Sequence, residues 1–67
     1  MNKFAERLKE LREEKGLSQN ALAKELHFSQ PAITRWENKT QIPNIEVAIL
    51  IAKYFNVTTD YLLGLED

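Results

Sequence analysis

Apolar residues recur along this chain at helical spacing, in five blocks separated by short polar segments, and strand-like alternation is absent. Phe4, Leu8 and Leu11 form one stripe and predict a helix over about 2–15, with Glu6, Arg7, Lys9, Glu10, Glu13 and Glu14 mostly on its other faces. Gly16 supplies the left-handed residue that ends it. Leu22, Ala23 and Leu26 predict a second helix over 19–26, with Ser18 as N-cap and Ala21 and Ala23 small enough for close approach. His27 falls where that helix should stop, at a position favouring φ > 0, and Phe28 turns back into the core.

A third helix is predicted over 30–38. Pro31 suits its first turn, and because a residue before proline avoids helical angles, Gln30 competes with Ser29 for the cap. On a helical wheel Ile33, Trp36 and Glu37 point one way, and Pro31, Thr34, Arg35 and Asn38 the other. After a polar loop, the most apolar segment predicts a helix over 45–55 in which Ile45, Ala48, Ile49, Ile51, Ala52 and Phe55 can face inward, with Asn56 as a left-handed C-cap. Thr58 or Thr59 caps a last helix over about 60–63, stopped by Gly64. The pattern gives an all-α domain spanning 1–67.

Composition narrows the function. Sixty-seven residues allow one domain, which buries about 60% of its extended surface. There is no cysteine, so disulfides and thiolate metal sites are excluded and a reducing compartment is expected. No segment approaches the roughly 20 apolar residues of a membrane span, and no signal-peptide core is present, so the expected location is cytoplasmic. The single histidine, His27, has no second ligand nearby in sequence; no metal or cofactor is expected. No catalytic arrangement is visible, because the Ser18 and Ser29 hydroxyls read as caps and both glycines as helix terminators. The net charge of −1 counts against an undirected phosphate binder but not against a specific one, since helix N-termini and backbone N–H groups hold phosphate without formal charge.

Residues 17–38 then carry the argument. Two short helices joined by a tight turn, the second with an apolar inner side and a polar outer side, form the pattern of a helix-turn-helix unit. Gln30 can bond adenine N6 and N7 bidentately. Arg35 can bridge guanine O6 and N7, or hold a phosphate, or stay solvated. Thr34 can touch a thymine methyl or a phosphate, and Pro31 only apolar or shape features. Gln19 and Asn20 offer donors to a phosphate at the start of the second helix, and Gln19 can equally partner the Ser18 cap region. Trp36 reads as core rather than contact.

The chain resembles the Cro and phage-repressor type of helix-turn-helix proteins, the Xre family. The resemblance runs from Phe4 to Gly64 through Leu8…Arg12, Gly16-Leu17-Ser18-Gln19, Leu22-Ala23, Ser29-Gln30, Ile33…Arg35-Trp36-Glu37-Asn38, Pro43, Leu50-Ile51-Ala52 and Val57-Thr58…Leu62-Leu63-Gly64. It implies a five-helix, lambda-repressor-like domain that binds duplex DNA sequence-specifically and regulates transcription, as a repressor. By that resemblance the third helix is the recognition helix, with Gln30, Pro31, Thr34 and Arg35 at the bases. Arg12, Ser18, Gln19, Asn20, Asn38 and Lys39 are then at phosphates, and Arg12 pairs with Glu37 beneath the helix. His27 and Lys39 stand where the family often has glycine, and Pro31 where many relatives carry a polar base reader.

Such domains commonly act as homodimers on half-sites about 34 Å apart. Leu50, Tyr54, Tyr61, Leu62, Leu63 and Leu65 carry more apolar surface than a small core absorbs, and Tyr61, Leu62 and Leu65 are the expected dimer face. The rival expectation is a protein-binding module, such as an antitoxin-like partner of another protein, in which DNA contact is secondary. The chain can also be the DNA-binding part of something longer.

Overall fold

A computed structural model describes residues 3–66 and forms five helices over them: α1 Phe4–Glu14, α2 Gln19–Leu26, α3 Gln30–Glu37, α4 Ile45–Tyr54 and α5 Thr59–Leu63. No strand occurs among the described residues. Helices α2 to α5 each open on a side-chain cap. Ser18, Ser29, Asn44 and Thr58 accept from the backbone N–H three residues on, at Ala21 (3.0 Å), Ala32 (3.3 Å), Val47 (2.9 Å) and Tyr61 (2.9 Å). Ser29 is therefore the cap of α3 and Gln30 its first residue; Thr58, not Thr59, caps α5.

All five helices end alike. A left-handed residue follows each last turn: Gly16 (φ 73°), His27 (62°), Lys39 (69°), Asn56 (58°) and Gly64 (82°). In every case that residue and its successor donate back to the carbonyls of the final turn. In α1 these are Gly16 to Glu13 at 2.9 Å and Leu17 to Arg12 at 3.1 Å; in α5, Gly64 to Tyr61 at 3.0 Å and Leu65 to Asp60 at 2.8 Å. The turns at His27 and Lys39 thus keep the glycine-type geometry with side chains present, at a steric cost. Gly64 is needed twice over, since a Cβ there would lie 2.9 Å from that of Lys3.

Each helix contributes one fully buried aliphatic residue: Leu8, Leu22, Ile33, Ile51 and Leu62. Around them pack Phe4, Leu26, Ala52 and Trp36, the last edge-to-face with Phe28 at 5.3 Å. Helix α3 lies against both α2 and α1, so its inner side is fixed by the core.

Several expectations are corrected here. Helix α1 begins at Phe4; the expected start at Asn2 lies outside the described residues, as do Met1 and Asp67. Helices α1, α3 and α4 each end one residue earlier than expected, and α5 starts one earlier. Leu62 belongs to no surface: it is 0% exposed, taken up by the core between α1 and α4, and drops out of the expected dimer face. Ile45 and Ile49 do not face inward but are 62% and 39% exposed, because the buried side of α4 is the stripe Ala48, Ile51 and Ala52. Arg7 was expected on an outer face of α1. It is instead buried, its guanidinium 4.1 Å from the Tyr61 ring centroid and its Nη1 donating to the carbonyls of Tyr61 (2.5 Å) and Glu66 (2.7 Å).

Candidate nucleic-acid interface

The polar side of α3 is left outward by the burial of Ile33 and Trp36. Gln30, Pro31 and Arg35 are exposed on it and Thr34 is half-buried. The start of α2 lies beside the start of α3, so the structure brings Gln19, Gln30 and Thr34 into one cluster. Gln30 Nε2 donates to Gln19 Oε1 (3.0 Å) and to Thr34 Oγ1 (2.6 Å), and the Thr34 hydroxyl donates to Gln19 Oε1 (2.7 Å).

Beneath this cluster lies the expected ion pair. Arg12 Nε and Nη2 donate to the two carboxylate oxygens of Glu37 at 2.7 and 3.0 Å, and Nη1 donates to the Leu17 carbonyl at 2.8 Å. The side chains are 10% and 5% exposed, so the pair is largely desolvated, and the two-pronged geometry is the strongest an arginine offers a carboxylate. The hydrogen bond to Glu37 raises the Arg12 pKa further above its ordinary range, against the opposing effect of burial. The same Glu37 Oε1 accepts from Gln19 Nε2 at 3.0 Å. Gln19 therefore partners Glu37 rather than the Ser18 cap, and one continuous chain of hydrogen bonds runs from Arg12 to Gln30. The family resemblance placed Arg12 beside Glu37; it did not place Gln19 against both Glu37 and Gln30, because those contacts join two different helices, α2 and α3.

The residues expected at phosphates lie on both flanks of α3. Ser18, Gln19 and Asn20 sit at the α2 N-terminus, where unpaired backbone N–H groups and the helix dipole favour an anion. Asn38 follows α3 and its Oδ1 accepts from the backbone N–H (3.1 Å) and hydroxyl (2.7 Å) of Thr40, which pins the loop. Thr40 was not singled out from sequence, although an asparagine two residues before a threonine is the signal for this turn. Lys39 reaches back to Glu6 at 3.7 Å in an open surface pair that contributes little. Arg12, expected at a phosphate, is 9% exposed, and its Nε, Nη1 and Nη2 each donate within the protein. Tyr61, expected at a dimer face, is half-buried under Arg7, and Leu65 is 72% exposed.

Comparison with known proteins identifies this geometry. A helix-turn-helix family model matches residues 8–62. This chain belongs to the helix-turn-helix family. Among curated proteins it is 44% identical over 64 residues to the HTH-type transcriptional activator BcrR of Enterococcus faecalis, covering 96% of this chain and 31% of that protein. It is 31% identical to the HTH-type transcriptional regulator ImmR of Bacillus subtilis, covering 96% of this chain and 50% of that one. The chain thus spans about a third to a half of the length of these helix-turn-helix relatives. Among solved structures, the P22 c2 repressor protein in complex with a synthetic operator superposes with a TM-score of 0.84 at 32% identity, covering 94% of this chain and 96% of that one. The solution structure of the same repressor's DNA-binding domain gives 0.81 at 33% identity, covering 91% and 80%.

Proposed function

We propose that this helix-turn-helix chain binds duplex DNA sequence-specifically by seating α3 in the major groove, and that it regulates transcription, repressing by occupation of its operator. The observation that carries the proposal is the division of α3 into a side locked in the core and an outer side presenting Gln30, Pro31, Thr34 and Arg35. A recognition helix needs a fixed pose and free base-reading groups together. The likeness to a repressor solved with its operator supports the same conclusion. Gln30 reads a base edge, Arg35 and Thr34 contact bases or the adjoining backbone, and Pro31 offers shape alone. Ser18, Gln19 and Asn20 hold a phosphate on one flank; Asn38, Lys39 and the edge of Arg12 hold the strand on the other.

The protein works in the cytoplasm as a regulator rather than an enzyme, and as a homodimer on half-sites about 34 Å apart. The exposed aliphatic residues Ile42, Ile45, Ile49 and Leu50, with Leu65 and the rim of Tyr61, favour a protein contact of this kind. The same residues keep a second reading open, in which another protein is the partner.

Selection from a random duplex pool at two salt concentrations tests the proposal. Enrichment of a roughly palindromic motif is expected. Weak binding without a motif, vanishing as salt rises, would reduce it to phosphate attraction and favour the protein-partner reading.

A further inference from the structure

We infer that Glu37, which touches no base, sets the base preference of Gln30 by fixing which end of its side-chain amide faces outward. The inference rests on the DNA-binding function proposed above. An amide is nearly symmetrical in shape but opposite in chemistry at its two ends, so an unrestrained glutamine presents either its N–H₂ or its C=O to a base. In this protein the choice is made by a chain of charges and dipoles. Arg12 holds Glu37 with two N–H groups, at 2.7 and 3.0 Å. The ionised carboxylate only accepts, so the Gln19 amide at 3.0 Å must turn its Nε2 toward Glu37. That turns Gln19 Oε1 toward α3, where it faces Gln30 Nε2 at 3.0 Å.

Gln30 must then turn its nitrogen inward and its Oε1 away from the network. Thr34 reinforces the same sense. Its oxygen accepts from Gln30 Nε2 at 2.6 Å while its hydroxyl donates to Gln19 Oε1 at 2.7 Å, so both acceptors lie on one side of the Gln30 nitrogen. Reversing either amide places oxygen against oxygen or N–H against N–H between the half-buried Gln19 and the exposed Gln30, a loss of hydrogen bonds rather than a neutral rotation.

The consequence is a rule for the contacted base. With both N–H groups of Gln30 held by Gln19 and Thr34 and its Oε1 outward, Gln30 accepts from an exocyclic amine. Adenine (N6) and cytosine (N4) supply one; guanine (O6) and thymine (O4) oppose an acceptor with an acceptor. Glu37 and Gln19 are positioning residues in this scheme, and Arg12 is the fixed charge that starts it.

The test uses the full chain, a selected duplex and its three variants at the Gln30 position, with Glu37→Gln and Gln19→Leu, each checked for folding by circular dichroism. The unaltered protein should favour amine-bearing over keto-bearing bases by about tenfold, one hydrogen bond's discrimination. Either variant should shrink that ratio to under about threefold; Glu37→Gln should leave binding to unrelated duplex in place, whereas Gln19→Leu should weaken every duplex alike through its lost phosphate contact, so for that variant the ratio between bases is the readout. Gln19→Leu keeps the Arg12–Glu37 pair, so it serves where Glu37→Gln fails to fold. In the DNA-free protein, the Gln30 side-chain N–H₂ signals should exchange slowly with water, and rapidly in both variants. A base ratio unchanged in the folded variants, or Gln30 signals that exchange equally fast in all three proteins, would overturn the inference while the DNA-binding function stands. No base preference at any position of the duplex would overturn both.

Discussion

Two arginines of α1, Arg7 and Arg12, are buried to the same degree, each 9% exposed, and do different work. Arg12 faces α3 and meets a carboxylate, Glu37, that is itself 5% exposed. Arg7 faces the other end of the molecule, where it holds the Tyr61 and Glu66 carbonyls and covers the Tyr61 ring. The Thr58 hydroxyl and the Glu66 side chain close the same corner. What matters is what each would leave behind if removed. Loss of Arg12 strands a charge in a desolvated place under the recognition helix. Loss of Arg7 frees, among its partners, the carbonyls of Tyr61 and Glu66, on residues that are half-buried and exposed. Equal burial therefore does not mean equal consequence.

Arg12→Met should be the most damaging change, costing about 3 kcal/mol in urea unfolding, because an unpaired buried carboxylate remains. In a small domain that is a large share of the total stability. The double variant Arg12→Met with Glu37→Leu should regain most of the loss, since replacing both partners with apolar groups removes the stranded charge. A double variant no more stable than the single one would mean that Arg12 matters through packing, and the comparison would fail on that side.

Arg7→Met should cost less, about 1.5–2 kcal/mol, the lower part of the range for hydrogen bonds to a charged donor. Its loss should also be local. Amide exchange should speed up at Tyr61–Leu65 and remain unchanged in α2 and α3. Acceleration across α3 would show that the two arginines stabilise one unit rather than two.

Smaller effects lie at the helix ends. Ser29→Ala, which removes the α3 cap, should cost about 1 kcal/mol by thermal unfolding. Lys39→Gly should instead stabilise by about 0.5–1 kcal/mol, since a left-handed residue with a side chain is strained and the surface pair with Glu6 contributes little. A destabilised Lys39→Gly would mean that the Glu6 contact holds the loop beside α3.

The same comparison explains what was legible in the sequence. Helix starts and stops were, because Ser18, Asn56, Gly16 and Gly64 act on their own immediate backbone. His27 was legible as a left-handed stop for the same reason. The Arg12–Glu37 pair was legible through family resemblance. Arg7 was not: on the α1 wheel it is one polar residue among several, and only the packing of α5 against α1 buries it. Ile45 and Ile49 misled in the opposite direction, since an apolar helix does not say which of its sides meets the core. Within the candidate site the residue types were legible. The order of their hydrogen bonds was not, because Gln19, Glu37 and Gln30 come together only when α2 and α3 pack.

The central claim is that the outer side of α3 reads sequence. The most direct measurement is fluorescence anisotropy of a selected duplex against a scrambled one, for the unaltered chain and Gln30→Ala, across a range of salt. The selected site should bind at least about 10³-fold more tightly than the scrambled one. Gln30→Ala should lose about 1–3 kcal/mol on the selected site alone, with the salt dependence unchanged. Equal binding of both duplexes, or an equal loss on both in the variant, would contradict it.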